Sequence, residues 1–216
     1  MVISHQNQAK NAPNLVMHGL YDGLMEAFLV STGIVALAEM GDKTQLLSLV
    51  LAARFRKPWP IVWGILVATL INHGLAGALG SWVTTQLGPD ALRWVLGGSF
   101  LAMAVWILVP DKLDDEEQEK SPRFGIFATT VVAFFIAEMG DKTQVATVAM
   151  AAHYMDAWKV VAGTTLGMMI ADVPAVFLGD KLSSKISLKW VHAAAALVFA
   201  ALGVATLLGA GERIGF

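Results

Sequence analysis

The sequence predicts an all-α integral membrane protein: six transmembrane helices arranged as two inverted three-helix repeats. Three observations carry that prediction. The 216 residues are 56% hydrophobic and 15% charged, with a mean hydropathy of +0.62, whereas soluble domains carry about 25% charged residues. Six apolar stretches approach or exceed the ~20 residues needed to cross a bilayer. The octet Ala38-Glu39-Met40-Gly41-Asp42-Lys43-Thr44-Gln45 recurs letter for letter as Ala137-Glu138-Met139-Gly140-Asp141-Lys142-Thr143-Gln144, an offset of 99 residues (138 minus 39).

Taken in order, residues 1–23 are polar and lack the basic-then-apolar build of a signal peptide, so they read as a tail. The first span, Leu24–Ala53, is longer than a straight crossing requires and is interrupted by the first octet; it is expected to tilt or to break near Gly41. Pro58 and Pro60 open the second span, Trp59–Thr84, and Pro110 closes the third, Ala91–Val109. Residues 110–123 form an acidic linker (Asp114, Asp115, Glu116, Glu117, Glu119). The fourth span, Phe124–Ala152, repeats the first, with its break expected near Gly140. Trp158–Leu178 and Lys189–Gly209 complete the set, and 210–216 form a C-terminal tail. Repeat one is therefore 24–109 and repeat two 124–209.

The repeat extends beyond the octets. At the same offset Gly64 aligns with Gly163, Ile71 with Ile170, His73 with Asp172 and Gly80 with Gly179; Arg93-Trp94-Val95 resembles Lys189-Trp190-Val191 at a slightly shorter spacing. Three spans per repeat is an odd number, so the second repeat enters the membrane from the opposite side, the plan of many secondary transporters. The loops after spans one, three and five carry Arg54, Arg56, Lys57, Lys112, Lys120, Arg123, Lys181, Lys185 and Lys189, against Lys10, Arg93, Lys159 and Arg213 elsewhere. The positive-inside rule then places the acidic linker in the cytoplasm and both termini outside. Tryptophans 59, 82, 94, 158 and 190 fall near span ends and read as interfacial anchors.

Each octet sets two acids and a lysine in an apolar run, where a charge costs about 2.5–3.5 kcal/mol on insertion scales and usually marks function. On an unbroken helix Asp42 lies about 60° from Glu39 and Lys43 about 40° to the other side, with Thr44 roughly opposite Glu39 unless Gly41 breaks the helix. If the two octets meet, Glu39, Asp42, Glu138 and Asp141 with Lys43 and Lys142 sum to −2, the charge that one divalent cation neutralises. These carboxylates, with the amides of Gln45 and Gln144, are hard oxygen ligands for Ca²⁺, Mg²⁺ or Mn²⁺. The chain has no cysteine, so disulfides, thiolate metal sites and cysteine nucleophiles are excluded and Cu⁺ is a poor fit. Met40 and Met139 would add thioethers favouring Mn²⁺ if they turn inward; simple apolar packing is their plainer reading. Gly41 and Gly140 allow close helix approach or unwinding.

The competing structural reading of the octets is a knot of buried salt bridges joining the halves. Outside them, Asp172 and His73 occupy equivalent positions in spans five and two and are candidates for proton coupling; Asn72 offers another amide, and His153 reads as interfacial. No His-Glu-x-x-His or Gly-x-Ser-x-Gly pattern suggests an enzyme, and neither a resident cofactor nor nucleic-acid binding is indicated.

The doubled octet resembles the signature of a six-span cation/proton antiporter family with two Glu-x-Gly-Asp-Lys/Arg-Ser/Thr motifs and an acidic central loop. That family includes bacterial manganese exporters and a Golgi cation transporter. The resemblance covers about residues 24–209. It implies exchange of Mn²⁺ or Ca²⁺ for protons, with Glu39, Asp42, Glu138 and Asp141 at the core of the cation site. Lys43, Thr44, Lys142 and Thr143 fall within the motif as supporting residues. It further implies a bacterial inner-membrane protein exporting Mn²⁺, with the bilayer, a divalent cation and protons as partners; oligomeric state is left open. The residues themselves say only "hard divalent cation". Ca²⁺/proton antiport and export of a cationic organic solute, whose carboxylate the lysines would meet, stand as alternatives.

Overall fold

The computed structural model describes residues 25–109, 125–178 and 188–209. The expected tails and the acidic linker lie outside the described residues, as do Gly179, Lys181 and Lys185. The described residues fold into helices joined by short turns: α1 (25–39), α2 (Lys43–Phe55), α3 (Pro58–Gln86), α4 (Pro89–Trp106), α5 (Gly125–Glu138), α6 (Lys142–Tyr154), α7 (Ala157–Leu178) and α8 (Leu188–Leu207). Each octet interrupts its helix, α1 from α2 and α5 from α6.

The breaks have a local cause. Gly41 and Gly140 take φ values of +81° and +77°, the left-handed region open to glycine without a Cβ penalty. Asp42 and Asp141 follow in extended conformation and become the N-caps of α2 and α6. The straight-helix geometry therefore gives way to its stated exception, and Thr44 comes round to the Glu39 side. At the far ends, Arg56 (φ 51°) and Met155 (φ 53°), again 99 residues apart, cap α2 and α6 in the left-handed region. Prolines lead α3 and α4 at positions where no helical N–H bond is lost, while Pro174 lies inside α7.

The two halves clasp each other reciprocally. Gly64 of α3 sits so close to α5 that a Cβ there would lie 2.6 Å from the Thr130 Cβ and 3.0 Å from the Phe127 carbonyl oxygen. Gly163 of α7 sits equally close to α1, 2.5 Å from the Phe28 carbonyl oxygen and 3.1 Å from the Ser31 Cβ. Each partner pair is displaced by the repeat offset. Farther along, Gly167 meets Thr32 and Ala36, and Gly80 meets Val148 and Ala151. Contacts thus ascend together in both pairs, so α1 runs parallel to α7, and α3 parallel to α5–α6. α4 and α8 pack on each other through Gly97 and Gly203. Small residues at these crossings replace the hydrophobic drive that lipid removes.

Large apolar side chains cover the outside: along α3 alone Trp59, Trp63, Leu70, Leu75, Leu79 and Trp82 are exposed, a surface suited to lipid. The anchor tryptophans Trp94, Trp158 and Trp190 are exposed too. Pro58–Gln86 and Ala157–Phe177 are each long and apolar enough to cross a membrane; among the described residues α1, α2, α5 and α6 are each shorter than one crossing.

Gly167→Ala should lower the thermal midpoint of the detergent-purified protein, because its Cβ would lie 2.6 Å from the Thr32 carbonyl oxygen and 2.9 Å from the Ala36 nitrogen; overpacking costs about 1–3 kcal/mol. Gly74→Ala, whose Cβ would meet nothing within 4 Å, should leave the midpoint unchanged or raise it. Equal midpoints would show that the clasp tolerates a methyl group.

Candidate cation site

The interruption of two helices at one level is what assembles the site. Glu39 and Glu138 end α1 and α5; Asp42 and Asp141 begin α2 and α6. All four are buried, Glu39 and Glu138 completely. Neither N-cap aspartate spends its side chain on a cap hydrogen bond, so both carboxylates serve the interior. The C-terminal, partly negative ends of α1 and α5 point at the same place, as in discontinuous transporter helices that coordinate cations.

Each half repeats one hydrogen-bond scheme. Thr44 Oγ1 donates to Glu39 Oε2 at 2.5 Å, and Thr143 Oγ1 to Glu138 Oε2 at 3.1 Å. The break itself is held by glutamine: Gly41 N–H donates to Gln45 Oε1 at 2.9 Å and Gly140 N–H to Gln144 Oε1 at 2.7 Å. The same amides reach across to the other half, Gln45 Nε2 donating to the Ala171 carbonyl at 3.0 Å and Gln144 Nε2 to Asn72 Oδ1 at 3.4 Å. Positions 72 and 171 are again 99 apart. The glutamine oxygens, expected as cation ligands, are thus engaged by the backbone of their own breaks.

The halves also meet through charge. Lys43 Nζ lies 3.2 Å from Asp141 Oδ1, a pairing across the repeat boundary. Lys142, itself buried, donates to the Val109 carbonyl at 2.7 Å. Glu39, Glu138 and Asp141 each offer an oxygen within a group no wider than 4.8 Å. Oxygens sharing one hard divalent cation at about 2.0–2.6 Å can lie no farther apart than about twice that distance, so three ligands fit one ion. Every one of these carboxylates has one oxygen held, by Thr44, Thr143 or Lys43, and a second (Glu39 Oε1, Glu138 Oε1, Asp141 Oδ2) without a hydrogen-bond partner among the described residues. Buried carboxylate oxygens left unpaired are costly, and a cation is the partner their chemistry fits. Asp42 interacts electrostatically with Glu39, Glu138 and Asp172, which brings the fourth motif acid into the same field.

Among the remaining candidates, Asp172 is fully buried and faces Ser48 of α2, yet neither its oxygens nor the Ser48 hydroxyl reaches hydrogen-bond geometry. His73 is equally buried, with both ring nitrogens unpartnered. Asn72 bonds the Phe135 carbonyl at 3.1 Å as well as Gln144. Met139 is corrected: its side chain is 58% exposed, because the break turns it away from the acids, so it offers no sulfur to the site. Met40 is half-buried. His153, next to the last residue of α6, packs its ring edge-on against Phe100 and Tyr154. Two partners were not foreseeable from the octets: the Val109 carbonyl, and His192 of α8, whose Nε2 lies 2.8 Å from the Met40 carbonyl. Neither recurs at the repeat offset, so no sequence signal marks them.

Gln45→Leu should destabilise the purified protein by about 1–3 kcal/mol, since it strands the Gly41 N–H and the Ala171 carbonyl in the interior. Thermal unfolding reads this directly. Unchanged stability combined with lost cation binding would instead make Gln45 a ligand.

Comparison with known proteins identifies the family. The family described as divalent cation/proton antiporter GDT1 matches residues 27–115 and 126–213, one match to each half. A Vibrio cholerae protein, provisionally named a manganese exporter, is 51% identical over 185 residues, 85% of this chain and 91% of its own. A GDT1-like protein of Synechocystis is 32% identical over 82% of this chain and 94% of its own, and GDT1-like protein 4 of Oryza sativa subsp. indica is 28% identical over 82% and 71%. No solved structure matches. With both halves matched, and one copy of the doubled acidic motif in each, the chain belongs to the GDT1 family of divalent cation/proton antiporters, a family of membrane transporters rather than enzymes.

Proposed function

We propose that this protein exports Mn²⁺ from the cytoplasm in exchange for protons, binding the ion between its two broken helices through Glu39, Asp42, Glu138 and Asp141. The observation that carries this reading is the convergence of three buried carboxylates from both halves within 4.8 Å, each with an oxygen that has no hydrogen-bond partner among the described residues. Manganese as the cargo rests on the name of the Vibrio cholerae relative. Gln45 and Gln144 brace the breaks, while Thr44, Thr143 and Lys43 aim the carboxylates.

The membrane arrangement belongs to the same reading. α1–α2 and α5–α6 each act as one interrupted crossing, so that with α3, α4, α7 and α8 there are six. The parallel pairing of α1 with α7 and of α3 with α5–α6 supports inverted repeats, because α2 and α3 are joined by a two-residue turn (56–57) and run back on each other. In this reading the excess of Lys and Arg supports a cytoplasmic linker with the termini outside, and likeness to a bacterial exporter supports a bacterial inner membrane.

The transport step follows from competition. Ion and proton require the same carboxylate oxygens, so a site facing the proton-rich exterior loses its cation as it is protonated, and the neutralised site returns. The lysine across the halves limits the cost of burying acids between the two loaded states. Asp172, buried beside the motif acids on the second half, and His73 at the matching place on the first are the groups we assign to proton passage.

Calcium is the second reading. With Met139 turned outward the converging ligands, Glu39, Glu138 and Asp141, are oxygens, which suit Ca²⁺ as well as Mn²⁺.

Reconstituted vesicles loaded with Mn²⁺ should release it when an inward proton gradient is imposed, and Asp141→Asn should slow that release more than about 10-fold. Gradient-independent leakage, or equal rates in the variant, would remove the site assignment. Cells carrying Glu39→Ala or Asp141→Ala should lose manganese resistance while retaining the protein in the membrane. Excess external Ca²⁺ that leaves Mn²⁺ flux unchanged would set the calcium reading aside. At equilibrium, Mn²⁺ affinity should fall as pH falls, because protons take up the liganding oxygens; titration calorimetry at two pH values measures it.

A further inference from the structure

The two halves share their glycine crossings and the hydrogen bonds of their glutamines and threonines at the repeat offset, but the two breaks differ in what covers them. In the first break the Met40 carbonyl lies 2.8 Å from His192 Nε2 of α8, and Met40 and Gly41 are half-buried. In the second break Met139 is 58% exposed and Gly140 is exposed, with nothing within 4 Å of the position a Cβ would occupy. The segments Arg93-Trp94-Val95 and Lys189-Trp190-Val191 correspond, so the counterpart of His192 in the first half is Leu96 of α4. Leucine has no polar atom with which to hold a carbonyl, and Leu96 is itself buried in the core beside Phe100 and Met103.

A carbonyl at a helix break is an orphan acceptor that something must satisfy. At Met40 that carbonyl lies between Glu39 and the left-handed Gly41, so whatever grips it also sets the position of the Glu39 carboxylate and of Asp42 two residues on. We propose that His192 is a positioning residue for transport: its hydrogen bond to the Met40 carbonyl pins α8 to the first break and holds that break closed, while the second break, lacking such a grip, stands open. The first break moves in each transport cycle only when this bond is released. The inference rests on the alternating-access reading above and assigns that reading an asymmetric gate.

The absence of cysteine from the chain makes the test clean. Single-cysteine variants Met40→Cys and Met139→Cys, in the otherwise unchanged full-length protein in vesicles, are reacted with a polar maleimide from both sides. Cysteine at 139 should label readily and cysteine at 40 slowly. Adding His192→Leu should raise the rate at position 40 about fivefold, the population change that loss of one ordinary hydrogen bond brings, and leave position 139 unchanged. His192→Gln, whose amide N–H can donate to the same carbonyl, should restore slow labelling at position 40, which a merely volumetric role would not. Proton-driven Mn²⁺ flux measured on the same vesicles separates the two claims: wild-type flux without any effect of His192→Leu on labelling overturns the gate alone, whereas absent wild-type flux with the predicted labelling overturns the transport reading alone. Equal labelling at positions 40 and 139 in the wild-type background, or failure of glutamine to restore slow labelling, also overturns the gate.

Discussion

Everything in this fold depends on keeping two interrupted helices stable inside an apolar bundle. A helix break exposes backbone N–H and C=O groups that lipid and apolar side chains cannot satisfy, and each unpaired group costs free energy comparable to a lost hydrogen bond. Gln45 and Gln144 solve this locally by accepting from the glycine N–H of their own break, and globally by donating to the opposite half. One side chain thus shapes the break and ties the repeats together. The acids can face inward only because these amides have taken over the backbone.

That division of labour fits the proposed cation site better than it fits a structural knot of salt bridges. A knot would pair its charges fully, since a half-satisfied buried network is worse than none. Here Lys43 engages one oxygen of Asp141, and threonines engage one oxygen of each glutamate, while the second oxygens of all three acids have no protein partner among the described residues. The arrangement orients the carboxylates without saturating them. Such incompletely paired acids are suited to a ligand that comes and goes, and they tolerate its departure only if protons replace it. Exchange is thus a consequence of burial as much as of family membership.

Symmetry supplies the rest. Close glycine crossings at Gly64 and Gly163 place the same α1 and α5 positions against the opposite half, so a single packing solution is used twice. Repeated packing of this kind is what the proposed rocking of one half on the other would use. Symmetry is broken at three places: Lys142 on the Val109 carbonyl, His192 on the Met40 carbonyl, and Asp172 at the position equivalent to His73.

The sequence by itself determined the two-repeat plan and a tilt or break near Gly41 and Gly140, and it singled out the motif acids, because repetition and charge in an apolar run are visible without coordinates; that the helices break there was decided by the fold. Element bounds followed from prolines and from apolar length. Helix wheels could say where Asp42 lies relative to Glu39 only for an unbroken helix, so the reach of Thr44 to Glu39 waited on the dihedral angles of the break. Tertiary structure alone decided which way side chains turn. It moved Met139 to the surface and occupied the glutamine oxygens, and it brought His192 and Val109 to the motifs from remote positions. The physical reason is one of range: glycine conformation and hydrophobic period act over a few neighbouring residues, whereas the partner of a side chain more than a hundred positions away depends on how whole helices pack.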